Sequence, residues 1–121
     1  DDLRSKIEEK AESLDLVVMC MGVLDSENSN AEKRIDDITY EKMLHTFSAN
    51  TVTHAVAVKH LKNLIRKKNN TTLIHLSAKV GSISDNEIGG WYSYRMSKAS
   101  LNMFSSNVAK SLIIKYLSCS K

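Results

Sequence analysis

Apolar and polar positions follow two distinct periods along this chain. Leu3, Ile7, Ala11 and Leu14 recur at helical spacing with Lys and Glu between them, which predicts an amphipathic helix at the start. After Asp15 the pattern becomes an unbroken apolar run, Leu16-Val17-Val18-Met19-Cys20-Met21, closed by Gly22. Such a run predicts a strand buried on both faces, as in a parallel sheet. Residues 25–37 are polar and predict a loop. Thr39 is the predicted N-cap of the next helix, with Glu41 in its first turn. Leu44, Phe47, Thr51, Ala55, Val58, Leu61 and Ile65 mark one stripe of that helix, which ends in Arg66-Lys67-Lys68. Thr72-Leu73-Ile74-His75-Leu76 predicts a second strand and residues 82–90 another loop. Leu101, Phe104, Val108 and Leu112 form the inner face of a last helix from about Tyr94 to about Tyr116.

The predicted order is helix, strand, helix, strand, helix. A βαβ unit with flanking helices implies parallel strands, a right-handed crossover and helices on the sheet faces. The fold class is therefore α/β, a partial Rossmann-like unit of a doubly wound parallel sheet. Its 121 residues suffice for one domain, 1–121. No internal repeat, linker or low-complexity stretch interrupts it, and proline is absent. Ligands of open α/β sheets bind beyond the carboxyl ends of the strands. Gly22 and Gly81 both fall there, which directs attention to the segments after Leu24 and after Leu76 and to the nearby loops.

Composition narrows the function without naming it. A net charge of +3, from 17 basic and 14 acidic residues, is too small and scattered to argue for nucleic acid. The apolar run from Leu16 to Leu24 is far too short to span a membrane. Cys20 reads as a buried thiol and Cys119 lies in the polar tail. The two cysteines and four histidines show no metal-ligand spacing, so neither a metal site nor a disulfide is expected, which fits a reducing, cytoplasmic setting. The chain opens on Asp1-Asp2 without a secretory signal or an initiator Met. The expectation is a piece of a longer protein or the product of a truncated gene.

The chemistry concentrates in Tyr94-Arg95-Met96-Ser97-Lys98. Positions i and i+4 share a helix face. A free tyrosine has a pKa of about 10, and a nearby lysine cation favours tyrosinate. The pair would then protonate a carbonyl oxygen at neutral pH more readily. Alone, this spacing is common on exposed helices. Here Ser77 follows a predicted buried strand, Gly81 follows four residues later, Gly89-Gly90 precedes the tyrosine, and Asn50 lies within the long helix. A buried Asn is often a satisfied core amide and a Ser after a strand often a turn residue. Together, however, Asn50, Ser77, Tyr94 and Lys98 come in order, each on a suitable element.

This set resembles the Asn-Ser-Tyr-Lys tetrad of the short-chain dehydrogenase/reductase family. The segments Phe47–Asn50, Leu73–Ile83 and Gly89–Asn102 look most like its C-factor and sniffer-type carbonyl reductase branch. The resemblance implies NAD(P)H-dependent reduction of a carbonyl, or the reverse alcohol oxidation, with NADPH favoured over NADH. It implies Tyr94 as acid/base, and Lys98 as holder of the nicotinamide ribose that also tunes Tyr94. It further implies a serine that orients the substrate and Asn50 as anchor of a relay water. Gly22, Asn50, Tyr94 and Lys98 are the implied cofactor contacts. The family's helices near 39–66 and 94–116 form its subunit interface, which implies a homo-oligomer.

Three departures stand out. The family's Asn-Asn-Ala-Gly turn reads Met19-Cys20-Met21-Gly22. Its Ser-Ser-x-x-Gly reads Ser77-Ala78-Lys79-Val80-Gly81, so Ala78 stands in the usual catalytic place, with Ser77 the preferred substitute and Ser82 the other candidate. The glycine-rich phosphate turn has no counterpart, so the first βαβ half is missing, as are the strands after the last helix. This polypeptide alone is therefore expected to be inactive. The alternative reading is a non-catalytic remnant that serves as an oligomerisation or interaction module. A generic flavodoxin-like nucleotide domain ranks behind both, because it leaves the Tyr-Lys spacing unexplained.

Overall fold

A computed structural model describes residues 2–24, 30–66, 70–112 and 115–118. In chain order they form α1 (Asp2–Glu8), β1 (Leu16–Met19), α2 (Tyr40–Phe47), a π turn (Ser48–Val52), α3 (Thr53–Arg66), β2 (Thr72–His75), α4 (Tyr92–Leu112) and β3 (Lys115–Ser118), with short 3-10 turns at Ile35–Asp37 and Lys79–Gly81. The strands lie parallel in the order β1-β2-β3. Val17 faces Leu73 across the first pair, and Met19 faces His75. Parallel strands joined through helices are what the βαβ pattern predicted.

One face of the sheet carries the core. Met19 and Leu73 pack with Val58, Leu61, Leu64 and Ile65 of α3 and Val108 of α4. Ile7 of α1, together with Val17, Phe104 and Leu112, packs against this cluster. The helical stripe of α4 thus lands where its spacing placed it, with Leu101 fully buried.

Four expectations change. The apolar run of β1 predicted burial on both faces, yet Leu16 and Val18 are 56% and 48% exposed. The packed helices α1, α3 and α4 all cover the Val17–Met19 face, and β1 lies at the sheet edge. Cys20, read as buried, is an exposed free thiol. The long helix through Asn50 is not uniform. At Ser48–Val52 it widens to a π turn, with the amide of Thr53 bonding Ser48 O and Thr53 Oγ1 donating to the same oxygen at 3.0 Å. The extra residue shifts the phase of the stripe, so Leu44 and Phe47 face outward while Thr46, Asn50 and Thr51 face inward. Finally, the last helix ends at Leu112, and a strand absent from the predicted order, β3, pairs with β2. The proposed N-cap holds, because Thr39 Oγ1 accepts the Lys42 amide at 3.2 Å. The predicted polar-tail position of Cys119 lies outside the described residues.

Candidate functional site

The segments after β1 and β2 meet the π turn and the first turns of α4. Asn50 is fully buried there. Its Nδ2 donates to Val23 O at 2.8 Å and to Ser97 Oγ at 2.9 Å, and its Oδ1 accepts the Val23 amide at 2.6 Å. A π turn at this point carries the amide inward, so the strand-end turn and α4 are tied to one side chain. Thr51 adds a second tie, donating to Ser97 O at 2.8 Å. Both amide protons of Asn50 are spent on protein, so a relay water would use the remaining lone pair of Oδ1 or the backbone.

Lys98 is buried, and its Nζ donates to Leu76 O at 3.0 Å, leaving two ammonium protons for other acceptors. Burial pushes its pKa below the ordinary lysine value. Gly22 lies against the same atoms. A Cβ placed there would sit 3.1 Å from both Asn50 Oδ1 and Lys98 Nζ. Gly81 is tighter still, since an added Cβ would lie 2.9 Å from Lys98 Cβ and 3.0 Å from its backbone carbonyl carbon. Only glycine lets the loop after β2 approach α4 at Lys98.

Tyr94 lies one turn before Lys98, whose Nζ is 5.7 Å from the tyrosine ring centroid. Its hydroxyl makes no hydrogen bond among the described residues. Burial pushes its pKa above 10. The spacing argument expected Lys98 to lower it, and here desolvation decides the direction instead. Tyr94 therefore keeps its proton at neutral pH, and burial makes it a weaker acid than the spacing argument expected.

The two candidate serines differ in setting. Ser77 Oγ is buried without a hydrogen-bond partner, and Ser82 Oγ lies 3.3 Å from Ser84 Oγ on the exposed loop. Neither is bonded to Tyr94. A cavity of about 390 Å³ is lined by Glu32, Lys33, Val80, Ile88, Trp91 and Arg95. Trp91 packs edge-on against Tyr94 at 6.4 Å.

Sequence reasoning missed three residues here. Glu32, buried, bonds Ser93 beside Tyr94. His54 and His75 form a buried pair, Nδ1 to Nδ1 at 2.9 Å, and His54 Nε2 lies 2.9 Å from Met21 O. Burial lowers both pKa values, His75 to about 4. Since Met21 O only accepts, His54 carries its proton on Nε2, and His75 donates from Nδ1. No group of His, Cys, Asp or Glu suited to a metal ion occurs among the described residues.

An Asn, a Lys and a Tyr gather where the segments after two parallel strands meet the first turns of α4. The family profile described as Enoyl-(Acyl carrier protein) reductase matches residues 1–116. The chain belongs to the short-chain dehydrogenase/reductase family. It is 33% identical over 69 residues to the C-signal protein of Myxococcus xanthus, a match covering 57% of this chain and 42% of that protein. Carbonyl reductase Sniffer of D. melanogaster superposes with a TM-score of 0.85 at 25% identity, covering 97% of this chain and 52% of that one. The NADPH-bound carbonyl reductase from chicken fatty liver gives 0.81 at 22% identity, covering 97% and 50%. The chain thus spans about half the length of these relatives.

Proposed function

We propose that this chain is the catalytic half of an NAD(P)H-dependent carbonyl reductase, a single partial dinucleotide-binding unit over residues 1–121. The observation that carries this reading is the convergence of Gly22, Asn50 and Lys98 Nζ one helical turn from Tyr94. The site suits the nicotinamide-ribose end of the cofactor. Lys98 has two unspent ammonium protons for ribose hydroxyls, and Gly22 leaves the turn without a side chain. When bound, the cofactor supplies the hydride. Tyr94 gives its proton to the carbonyl oxygen, Lys98 holds the ribose, and Asn50 fixes the turn behind them. Ser77 is the preferred hydroxyl to orient the carbonyl, with Ser82 the alternative. NADPH is preferred over NADH, in keeping with the chicken relative's bound cofactor. No helix of the described residues is long and apolar enough to cross a membrane, and we place the protein in the cytoplasm.

Self-association belongs to the same reading. Leu44, Phe47, Val52 and Val56 on α2–α3, and Met96 and Met103 on α4, are exposed apolar residues on the two helices concerned. A homo-oligomer would bury them.

A second reading has its own observation. Ala78 replaces the second serine and the Ser77 hydroxyl is enclosed without a partner. A remnant that has lost carbonyl orientation and serves as an interaction module would look the same at these two positions.

The discriminating experiment supplies deuterium-labelled NADPH and a panel of aldehydes and ketones to the full-length protein. Deuterium on the carbinol carbon of a product is expected, with Ser77→Ala lowering the rate strongly and Ser82→Ala leaving it near wild type. No transfer to any carbonyl, with the cofactor bound, would favour the remnant.

A further inference from the structure

Glu32 is the most buried acid among the described residues, 1% exposed, and the reaction just proposed makes no use of it. Its carboxylate meets the start of α4. Ser93 donates to it twice, from Oγ to Oε1 and from the backbone amide to Oε2 at 3.4 Å. Its own backbone carbonyl accepts the Trp91 amide at 2.5 Å.

The helix start explains why such a partner is needed. Trp91 O accepts the Arg95 amide at 2.8 Å, which makes Trp91 the N-cap of α4. An indole has no acceptor to offer the free amides of the first turn. Trp91 also adopts a left-handed backbone, φ 50°, after Gly89 at 73° and Gly90 at 66°. Three left-handed residues in a row hold only where surrounding contacts dictate them. Gly90 lets the Glu32 carbonyl approach, since a Cβ there would lie 3.3 Å from that oxygen. A negative charge at a helix N-terminus is also favoured by the aligned peptide dipoles.

We propose that Glu32 is a positioning residue: from a separate loop it supplies the side-chain acceptor that the N-cap Trp91 lacks, and so fixes where the Tyr94 hydroxyl stands. Tyr94 is the third residue of that helix. Any slip in the start of α4 moves its hydroxyl relative to the hydride path, while Lys98 is held separately by Leu76 O and Gly81. Misplacement of a reacting group by about 1 Å costs on the order of a hundredfold in rate. The proposal rests on Tyr94 being the proton donor.

The test uses the full-length protein with Glu32→Ala, Glu32→Gln and Ser93→Ala. Trp91, the single tryptophan of this chain, lies beside both Glu32 and Tyr94, so its emission reports the helix start; a tryptophan elsewhere in the full-length protein is first replaced by phenylalanine. Glu32→Ala is expected to lower kcat roughly tenfold to a hundredfold, with KM for NADPH changed less than about twofold, since Lys98 is held elsewhere. Trp91 emission should shift and the Ser93 amide should exchange faster. Glu32→Gln, which keeps one acceptor, should recover most of the rate. Wild-type kcat in Glu32→Ala would overturn the proposal. So would equal loss in Glu32→Gln with unchanged emission and exchange, because the carboxylate would then act by charge alone. If Glu32→Ala does not fold, Glu32→Gln and Ser93→Ala decide by the same readings. A wild-type protein that binds NADPH but reduces no carbonyl would sink the reductase reading, and emission and exchange would still show whether Glu32 sets the start of α4.

Discussion

His54 and His75 show what burial does to a titratable pair. Both are neutral in the fold, and His75 charges only near pH 4, while an unfolded histidine charges near 6.5. Above pH 6.5 neither state binds the proton, and the pair adds no pH dependence. As pH falls from 6.5 toward 4, only the unfolded chain is protonated, so stability drops through that window and levels off below it. For His75 alone the drop is roughly 3 kcal/mol. Denaturant melts from pH 7 to pH 4 should show it, and His75→Asn should flatten the slope. The carboxyl of Asp37, held down by the Arg34 and Lys33 amides, acts in a window below the histidines. A flat wild-type profile between pH 6.5 and 4 would show that the pair is solvated. Gly81→Ala is a second test at this scale. The new methyl would meet Lys98 Cβ and its backbone within 3.0 Å, a clash the backbone cannot yield to cheaply. A loss of about 1–3 kcal/mol is expected in urea unfolding. Tyr94 and Lys98 were legible in the sequence because i and i+4 share a helix face whatever else the fold does. Glu32 was not, since its partner Ser93 is 61 residues away and nothing in a polar loop distinguishes one acid from its neighbours. The histidine pair, 21 residues apart, was hidden for the same reason.

Among the elements, the helix through Asn50 carries the clearest structural demand. Its π turn turns one polar side chain into the fold, where three hydrogen bonds satisfy it. Asn50→Ala leaves the Val23 amide and carbonyl without those partners. Its expected cost is about 2–4 kcal/mol, with far-UV helicity nearly unchanged. A loss below about 0.5 kcal/mol would mean that the turn after β1 is held by other contacts. Hydrophobic patterning predicted this helix, β1, β2 and the face of α4, because each stands out as a sustained apolar run or stripe. One inserted residue hardly alters such a period, so the π turn stayed invisible. β3 was missed because Ile113-Ile114 continues the apolar spacing of α4, so the sequence marks no break between helix and strand. The double-sided burial expected for β1 failed because apolar content does not say which face a helix will cover.

At the scale of the molecule, the described residues provide one helical layer on a three-stranded sheet. Leu16, Val18 and Leu76 remain exposed, as do the apolar residues of α2, α3 and α4. The polypeptide by itself should therefore self-associate, and light scattering should give a mass above 13.6 kDa. Isothermal titration of the same sample with NADPH should show no binding, because dinucleotide affinity comes largely from pyrophosphate contacts at a glycine-rich turn. The four glycines, Gly22, Gly81, Gly89 and Gly90, do not form one. A dissociation constant in the micromolar range, on the order of −8 kcal/mol, would show that this half suffices.

The central claim is that Tyr94 delivers the proton to a carbonyl. The most direct measurement compares NADPH-dependent reduction by the full-length protein and its Tyr94→Phe variant on the same carbonyl. Turnover in the variant should fall by about 10²–10⁴-fold, while its NADPH dissociation constant stays within about twofold, because a free hydroxyl is all that is lost. Undiminished turnover in Tyr94→Phe would contradict the account.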